Sequence, residues 1–361
     1  MLNKYLSRLF IASLLTISVV IALVACSSDD EEVAPAAPAA PAAPAPVATA
    51  APAVEVRPTL ERLNVVATTS IVADWVQQVG GERLIVESVV PPGADAHAYQ
   101  VTPKGVRMIT DSDFIFGVGV EYEEKWLAKL LENFPDDRAV FLGDLVDPIL
   151  FADEHEEHDK DEEHDEHDEH DEDEEHEEHE GHEGHDHGQF DPHVWFDPVR
   201  VASIASIIGA ELKTIDPEGS QYYEDRVKAY VEELDALHSQ ILAQIDEIDI
   251  QDRVIMTSHE ALGYLEARYG VEVLPAVLPG PDGDISAAPK DLVHAIEEIE
   301  EHNVKVIFID ETRSAKAADR VAEETGIEVV SGLKVESLKN GQTYIEFMET
   351  NINIILSHLK K

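Results

Sequence analysis

Three histidines stand in short motifs beside the apolar segments of this chain. His97 lies in PGADAHAY, His193 in DPHVWFDP and His259 in SHEALGYL. Neutral imidazole is the commonest metal ligand in proteins, and zinc accepts three imidazoles and one oxygen in a tetrahedral site. Each histidine alone is also compatible with a surface or capping residue, so it is the three together that indicate a metal site.

The single cysteine, Cys26, limits the other ligands that such a site can use. It excludes an intramolecular disulfide and a cysteine-rich metal centre. With water as the fourth ligand, a three-histidine zinc would be a hydrolytic or hydratase centre. With a carboxylate in that place, the site would bind metal without turnover. Because the sequence has no HExxH helix or other catalytic signature, we expect a binding protein and not an enzyme.

Apolar, β-branched segments alternate with helical segments, which predicts an α/β fold with parallel sheets and helices on both faces. The predicted strands cover 63–69, 84–90, 114–119, 139–143, 253–257, 271–274, 304–309 and 327–330. The predicted helices cover 70–79, 102–111, 124–134, 198–215, 220–248, 259–269, 288–302, 316–325 and 344–359. The longest of them separates two such blocks, which predicts two lobes on a rigid spine. A cleft between the lobes is the expected binding place, because ligands of open α/β sheets bind at the carboxyl ends of strands.

The N-terminus has the pattern of an export signal. Lys4 and Arg8 precede an apolar stretch, and the LVAC tetrapeptide at its end resembles the lipobox of bacterial lipoproteins. An ordinary secretory signal or a short membrane helix is the alternative. We expect a signal peptide at 1–25, a lipid on Cys26 and an Ala/Pro-rich tether at 26–61, which places the protein on the outer face of the cytoplasmic membrane.

The charge of the chain is concentrated in one tract. The formal net charge is −49, which argues against nucleic acid as a partner because phosphate binding needs clustered Lys and Arg. Residues 153–188 hold 22 Asp and Glu against one base, Lys160, and ten histidines lie among these acids. This composition predicts a solvated, disordered loop within the first lobe. Its histidines predict weak, multiple zinc binding.

The order of these motifs resembles that of a known family. PGADAHAY, DPHVWFDP and SHEALGYL are followed by VESL at 335–338, by Tyr344 and by a C-terminal helix. Over residues 62–361 the chain is similar to the zinc- and manganese-binding solute-binding lipoproteins of bacterial ABC importers. A His-rich insertion before the second ligand motif is a feature of the zinc-specific members, so the resemblance is to that type.

The resemblance implies a fold, a site and partners. The fold is two Rossmann-like lobes joined by one long helix, with boundaries expected at 62–216, 217–250 and 251–361. The implied metal ligands are His97, His193, His259 and Glu336, with Zn²⁺ as the transported ion. The implied partners are a membrane permease and its ATPase, and we expect a monomer.

Three positions depart from the family pattern. Glu336 stands where the family often has Asp, so its longer arm can change the distance or denticity of the carboxylate. Asp310 stands where Glu is usual, and we interpret it as a strand-end group near the ligands rather than a ligand. Ala96 precedes His97 and cannot supply the neighbouring carboxylate of some zinc members.

Two other functions remain open at this point. Manganese suits more carboxylates and fewer imidazoles, so three histidines with one glutamate favour zinc. Zinc also binds such sites more tightly than manganese, which makes affinity alone a poor guide to the physiological ion. A surface adhesin or metal buffer without an importer would fit the same fold and anchor.

Overall fold

The computed structural model describes residues 62–94, 96, 99–131, 138–151, 189–275, 289–311 and 315–360. The predicted signal peptide, the tether with Cys26, the acidic tract and His97 lie outside the described residues, and the predicted domain boundaries stay predictions. The described part of the chain belongs to one compact unit, Pro58–Lys361. Within that part, no helix combines the length and apolar character that a membrane span requires.

Two four-stranded parallel sheets organise this unit. The strands are β1 (Leu63–Ala67), β2 (Leu84–Ser88), β3 (Phe114–Gly117), β4 (Ala139–Phe141), β5 (Val254–Thr257), β6 (Glu272–Pro275), β7 (Val306–Asp310) and β8 (Glu328–Leu333). Their spatial orders are β2-β1-β3-β4 and β6-β5-β7-β8, and every pairing is parallel. In each sheet the first strand in sequence is an inner one. The second strand is added on one side of it and the third on the other, so the strand order reverses beside the first strand. Ligands of such Rossmann-like sheets bind at the carboxyl ends next to that reversal.

Helices surround both sheets. They are α1 (Ser70–Gly80), α2 (Pro103–Asp111), α3 (Glu124–Leu131), α4 (Pro198–Ile215), α5 (Ser220–Ile245), α6 (Gly263–Tyr269), α7 (Pro289–Glu301), α8 (Lys316–Thr325) and α9 (Tyr344–Leu359). Three of the four inner strands, β3, β5 and β7, are buried at every position. This is why their sequences, FIFG, VIMT and VIFID, are apolar runs and not alternating patterns.

The long helix α5 is the spine that the sequence predicted at 220–248. Its 26 residues span about 39 Å. Tyr223, Tyr230, Leu234 and further side chains at helical spacing are buried along one stripe of it. The hydrophobic core that contains this stripe also contains Phe116 of β3 and Phe308 of β7, so one continuous core joins the spine to both sheets.

Among the described helices, the last, α9, packs on the first, α1. Thr343 and Glu346 form a capping box that starts α9. The ring of Tyr344 then makes an edge contact with Trp75 of α1 at 5.7 Å between centroids, and its backbone N–H donates to Asp74 at 2.9 Å. The first and last described helices are therefore held together, and no sequence pattern predicted this contact.

One predicted helix begins later than expected. The sequence predicted helix 259–269, whereas α6 begins at Gly263. The hydroxyl of Thr257 donates to the carbonyl of His259 at 2.9 Å, and the N–H of Ala261 donates to the same carbonyl at 2.9 Å. Because this turn uses the carbonyl locally, His259 lies in the loop after β5 and outside the helix.

We expect Asp216→Asn to destabilise the protein more at neutral pH than at low pH. Arg83, which directly precedes β2, donates to both carboxylate oxygens of Asp216 at 2.6 and 2.8 Å, and Tyr223 donates to one of them at 2.6 Å. The hydrogen bond from Arg83 holds the pKa of Asp216 below its ordinary value of 3.8. A lowered pKa contributes stability above the ordinary value, and this is lost as the pH falls through the folded pKa. The free energy of unfolding at pH 7 should fall by about 2 kcal/mol.

Urea unfolding at pH 7 and near pH 3 measures this difference. Glu224→Gln is the matched control, because its exposed pair with Lys213 should be worth only about 0.5 kcal/mol. A loss in Asp216→Asn that is equally large at both pH values would contradict the assigned role of the ionised carboxylate.

Candidate metal centre

His193 is held in one orientation by its neighbour in the DPH motif. The side chain is fully buried. Asp191 accepts the backbone N–H of His193 at 2.8 Å and contacts Nδ1 at 2.6 Å through the same oxygen. A carboxylate accepts this hydrogen bond, so Nδ1 carries a proton and Nε2 is the nitrogen directed towards Glu336. In the neutral ring, Nε2 would offer its lone pair to a metal ion. Nε2 lies 3.1 Å from Oε1 of Glu336.

Asp191 is itself fixed by the surrounding structure. Its N–H donates to the carbonyl of Ile149 at 2.9 Å, and its carbonyl accepts the hydroxyl of Tyr264 at 2.8 Å. A Cβ on Gly263 would stand 2.8 Å from the Asp191 carboxylate, so the glycine in SHEALGYL leaves room for that group. The DPHVWFDP and SHEALGYL motifs therefore pack against each other.

His259 follows β5 at the carboxyl edge of the second sheet. The preceding residue, Ser258, donates its N–H to the carbonyl of Phe308 in β7 at 3.0 Å, which extends the sheet up to the histidine. Nε2 of His259 lies 3.3 Å from Oε1 of Glu336. The rings of His193 and His259 are perpendicular, with 5.1 Å between centroids. Two imidazoles thus approach a single carboxylate oxygen.

Glu336 is buried in the segment between β8 and α9, and its backbone is held on both sides. Asn351 of α9 bonds both the N–H and the carbonyl of Lys334, at 3.0 and 2.7 Å. Trp195 donates its indole N–H to the carbonyl of Val335 at 2.9 Å. The N–H of Leu338 donates to the hydroxyl of Ser70 at 3.0 Å. These contacts come from α1, from α9 and from Trp195, and they explain how a short loop presents a buried carboxylate.

The three side chains form a group with the dimensions of a metal site. One potential ligand atom from each of His193, His259 and Glu336 lies within 4.8 Å of the other two. Two ligands bonded at 2.0–2.1 Å to a tetrahedral zinc ion are about 3.3 Å apart. The separations of 3.1 and 3.3 Å between the carboxylate oxygen and the two nitrogens fit this value.

The negative charges around His193 change its protonation. Burial alone would lower the pKa of His193, but the charges of Asp191 and Glu336 and their hydrogen bonds outweigh it and raise the pKa to about 9. The pocket therefore favours a positive charge at this point even without a metal ion.

Two other residues singled out from the sequence, His97 and Asp310, are not part of this group of three in the described structure. His97 lies outside the described residues. Asp310 ends β7, is buried and receives a hydrogen bond at its backbone N–H from the hydroxyl of Ser258 at 3.3 Å, and the structure does not bring it into the group of three.

Sequence reasoning missed two polar neighbours of the group. Asp191 was visible inside the DPH motif, and its spacing of two residues from His193 was the available signal. Tyr122 lies on the loop after β3 and belongs to no sequence motif that would have indicated its role. Its hydroxyl donates to Oε2 of Glu336.

Comparison with known proteins gives the relatives of this fold and site. Residues 65–357 match the family described as "ZnuA: Zinc-uptake complex component A periplasmic". The high-affinity zinc uptake system protein ZnuA of Bacillus subtilis is 31% identical over 304 residues, which are 83% of this chain and 88% of that protein. The manganese ABC transporter substrate-binding lipoprotein PsaA of Streptococcus pneumoniae is 25% identical over 311 residues, 83% of this chain and 90% of that one.

Among solved structures, the fold is similar to that of an Mn-bound periplasmic metal binding protein from Candidatus Liberibacter asiaticus. The TM-score is 0.66 at 23% identity, over 82% of this chain and all of the other. This similarity supports the arrangement of two parallel sheets with flanking helices.

Proposed function

Because the chain belongs to the ZnuA family of periplasmic zinc-uptake components, we propose that it captures one Zn²⁺ between its two lobes and delivers the ion to a membrane permease. The coarser part of this function follows from the family: the protein is the metal-binding component of an ABC importer. The ion is therefore cargo, which the site must hold and later release.

One observation carries the proposal. A single buried oxygen, Oε1 of Glu336, faces the Nε2 atoms of His193 and His259 at 3.1 and 3.3 Å. Burial of a carboxylate beside two imidazoles is costly unless a positive charge joins them. A divalent cation would supply that charge, and the atom spacing suits the bond lengths of zinc.

We propose His97 as the remaining ligand. The N–H of Gly93 donates to the hydroxyl of Ser337 at 2.7 Å, which holds the loop after β2 beside the residue that follows Glu336. His97 lies four residues after Gly93, and four extended residues reach at most about 14 Å. The third imidazole is therefore within reach of the group, and the full set would be His97, His193, His259 and Glu336.

Zinc is the proposed cargo, and manganese is the second candidate. Three imidazoles and one carboxylate suit zinc, whereas manganese prefers oxygen ligands. The 31% identical relative is named for zinc uptake, and the 25% identical one for manganese. Elemental analysis of the protein as purified, followed by competition of the two ions for the empty site, tests the proposal. We expect one tight zinc equivalent that manganese does not displace, and retention of manganese in the presence of zinc would support the second candidate.

The proposed setting is a membrane surface. Lipidation of Cys26 would anchor the protein on the outer face of the cytoplasmic membrane, as the relatives named lipoproteins suggest. There it would act as a monomer with a permease and its ATPase. We propose no enzymatic activity, because Glu336 as the fourth ligand would occupy the position where a catalytic zinc keeps water.

Deletion of residues 154–187 should leave the tight site intact. The proposed ligands all lie outside this tract, whereas its ten histidines suit weak binding of several ions. Zinc titration by calorimetry should show the weak equivalents disappear and one tight equivalent remain. Loss of the tight equivalent would show instead that the tract supplies a primary ligand.

A further inference from the structure

The two oxygens of the Glu336 carboxylate have different surroundings. Oε1 faces the ring nitrogens of His193 and His259. Oε2 accepts a hydrogen bond from the hydroxyl of Tyr122, which lies in the first lobe. The second oxygen is therefore hydrogen-bonded to a phenol, while the first faces the two imidazoles.

We propose that Tyr122 is a positioning residue that sets which metal the site prefers. By binding Oε2, it restricts Glu336 to one donor oxygen and keeps the site four-coordinate. This inference rests on the proposed function, since it takes the group around Glu336 as the cargo site. Zinc is stable with four ligands, whereas manganese prefers six, mostly oxygen. A carboxylate limited to one oxygen thus disfavours manganese more than zinc.

The turn that carries Tyr122 is held by several contacts. Val120 and Glu121 have φ of 53° and 61°, which is costly for side chains other than glycine and above all for a β-branched one. Buried Glu123 accepts the N–H groups of Val118 and Gly119 at 2.6 and 2.9 Å. Asp144 accepts the N–H of Val120 at 2.7 Å. The carboxylates of Glu123 and Asp144 therefore stabilise a strained turn, and this turn places Tyr122.

The aromatic ring of Tyr122 packs independently of its hydroxyl. It makes edge contacts with His193 and Trp195, at 6.4 and 5.7 Å between centroids. Phenylalanine can keep both contacts, so Tyr122→Phe removes the hydrogen bond to Glu336 and leaves the packing.

The test compares Tyr122→Phe with wild type in the full chain. Dissociation constants for Zn²⁺ and Mn²⁺ give the preference, and the visible spectrum of the Co²⁺-loaded protein gives the coordination number, because four-coordinate Co²⁺ absorbs far more strongly than five- or six-coordinate Co²⁺. Loss of a group that orients a ligand typically changes affinity by about 10- to 100-fold. We expect the zinc-to-manganese preference to fall by about 10-fold or more and the Co²⁺ absorption to weaken.

Tyr269→Phe is the matched control. It removes a hydroxyl that contacts Nδ1 of another histidine, His238, at 3.1 Å, outside the group of three, and should change neither measurement. An unchanged preference or an unchanged Co²⁺ spectrum in Tyr122→Phe would overturn the inference. A wild-type protein without a tight zinc equivalent would instead refute the proposed function itself.

Discussion

His193→Ala is expected to abolish tight zinc binding. The substitution removes a fully buried imidazole that we propose as a ligand and whose ring is oriented by Asp191. Loss of a group that merely orients a ligand costs about 10- to 100-fold in metal affinity, so loss of the ligand should cost about 1,000-fold or more, equivalent to about 4 kcal/mol. Competition of the protein with a chelator for zinc measures this loss.

The control for this variant is His294→Ala. His294 is exposed on α7, where it faces Glu298 at 3.8 Å, and its removal should leave the tight equivalent unchanged. Circular dichroism of the metal-free His193→Ala protein checks that it is folded. A folded His193→Ala protein that binds zinc as tightly as wild type would exclude His193 as a ligand.

Glu336→Ala is expected to produce the second largest loss. Removal of the carboxylate takes away the negative charge that balances a dication in a buried site. Water can occupy part of the vacated space and supply an oxygen, so the loss should be smaller than for His193→Ala, about 100-fold. Zinc competition measures it under the same conditions.

Glu336→Asp separates the effect of the negative charge from the effect of side-chain length. It keeps the carboxylate but shortens the arm that now brings Oε1 to within 3.3 Å of both imidazoles. We expect weakened binding in this variant too, because the backbone of the segment is pinned through Lys334 and Val335 and cannot follow the shorter side chain. Full retention of zinc affinity in Glu336→Ala would contradict its assignment as the fourth ligand.

Local sequence patterns predicted most of the fold. Strands β3, β5 and β7 are apolar runs and the spine keeps its apolar stripe at helical spacing, so the alternation and the long helix were predictable from composition and period. The start of α6 was not, because it depends on a bond between the hydroxyl of Thr257 and the carbonyl of His259 that no periodicity encodes. The contact between α9 and α1 joins residues 270 positions apart and was likewise invisible.

The candidate site was predictable where a motif surrounds the side chain. His193 and His259 belong to such motifs, and the structure brings both to Glu336, which the family resemblance implied. Tyr122 belongs to none. It reaches Glu336, 214 positions away in sequence, because a strained turn at Val120 and Glu121 is held by the carboxylates of Glu123 and Asp144. Tertiary contacts of that kind leave no trace in residue spacing.

A crystal structure of the zinc-loaded protein, with anomalous scattering measured at the zinc edge, tests the central claim most directly. We expect a single strong peak between the lobes, about 2.0–2.2 Å from nitrogens of His97, His193 and His259 and from one oxygen of Glu336. A zinc ion bound by Asp310 in place of Glu336, or by two carboxylates and two histidines, would contradict the assignment and favour manganese as the cargo.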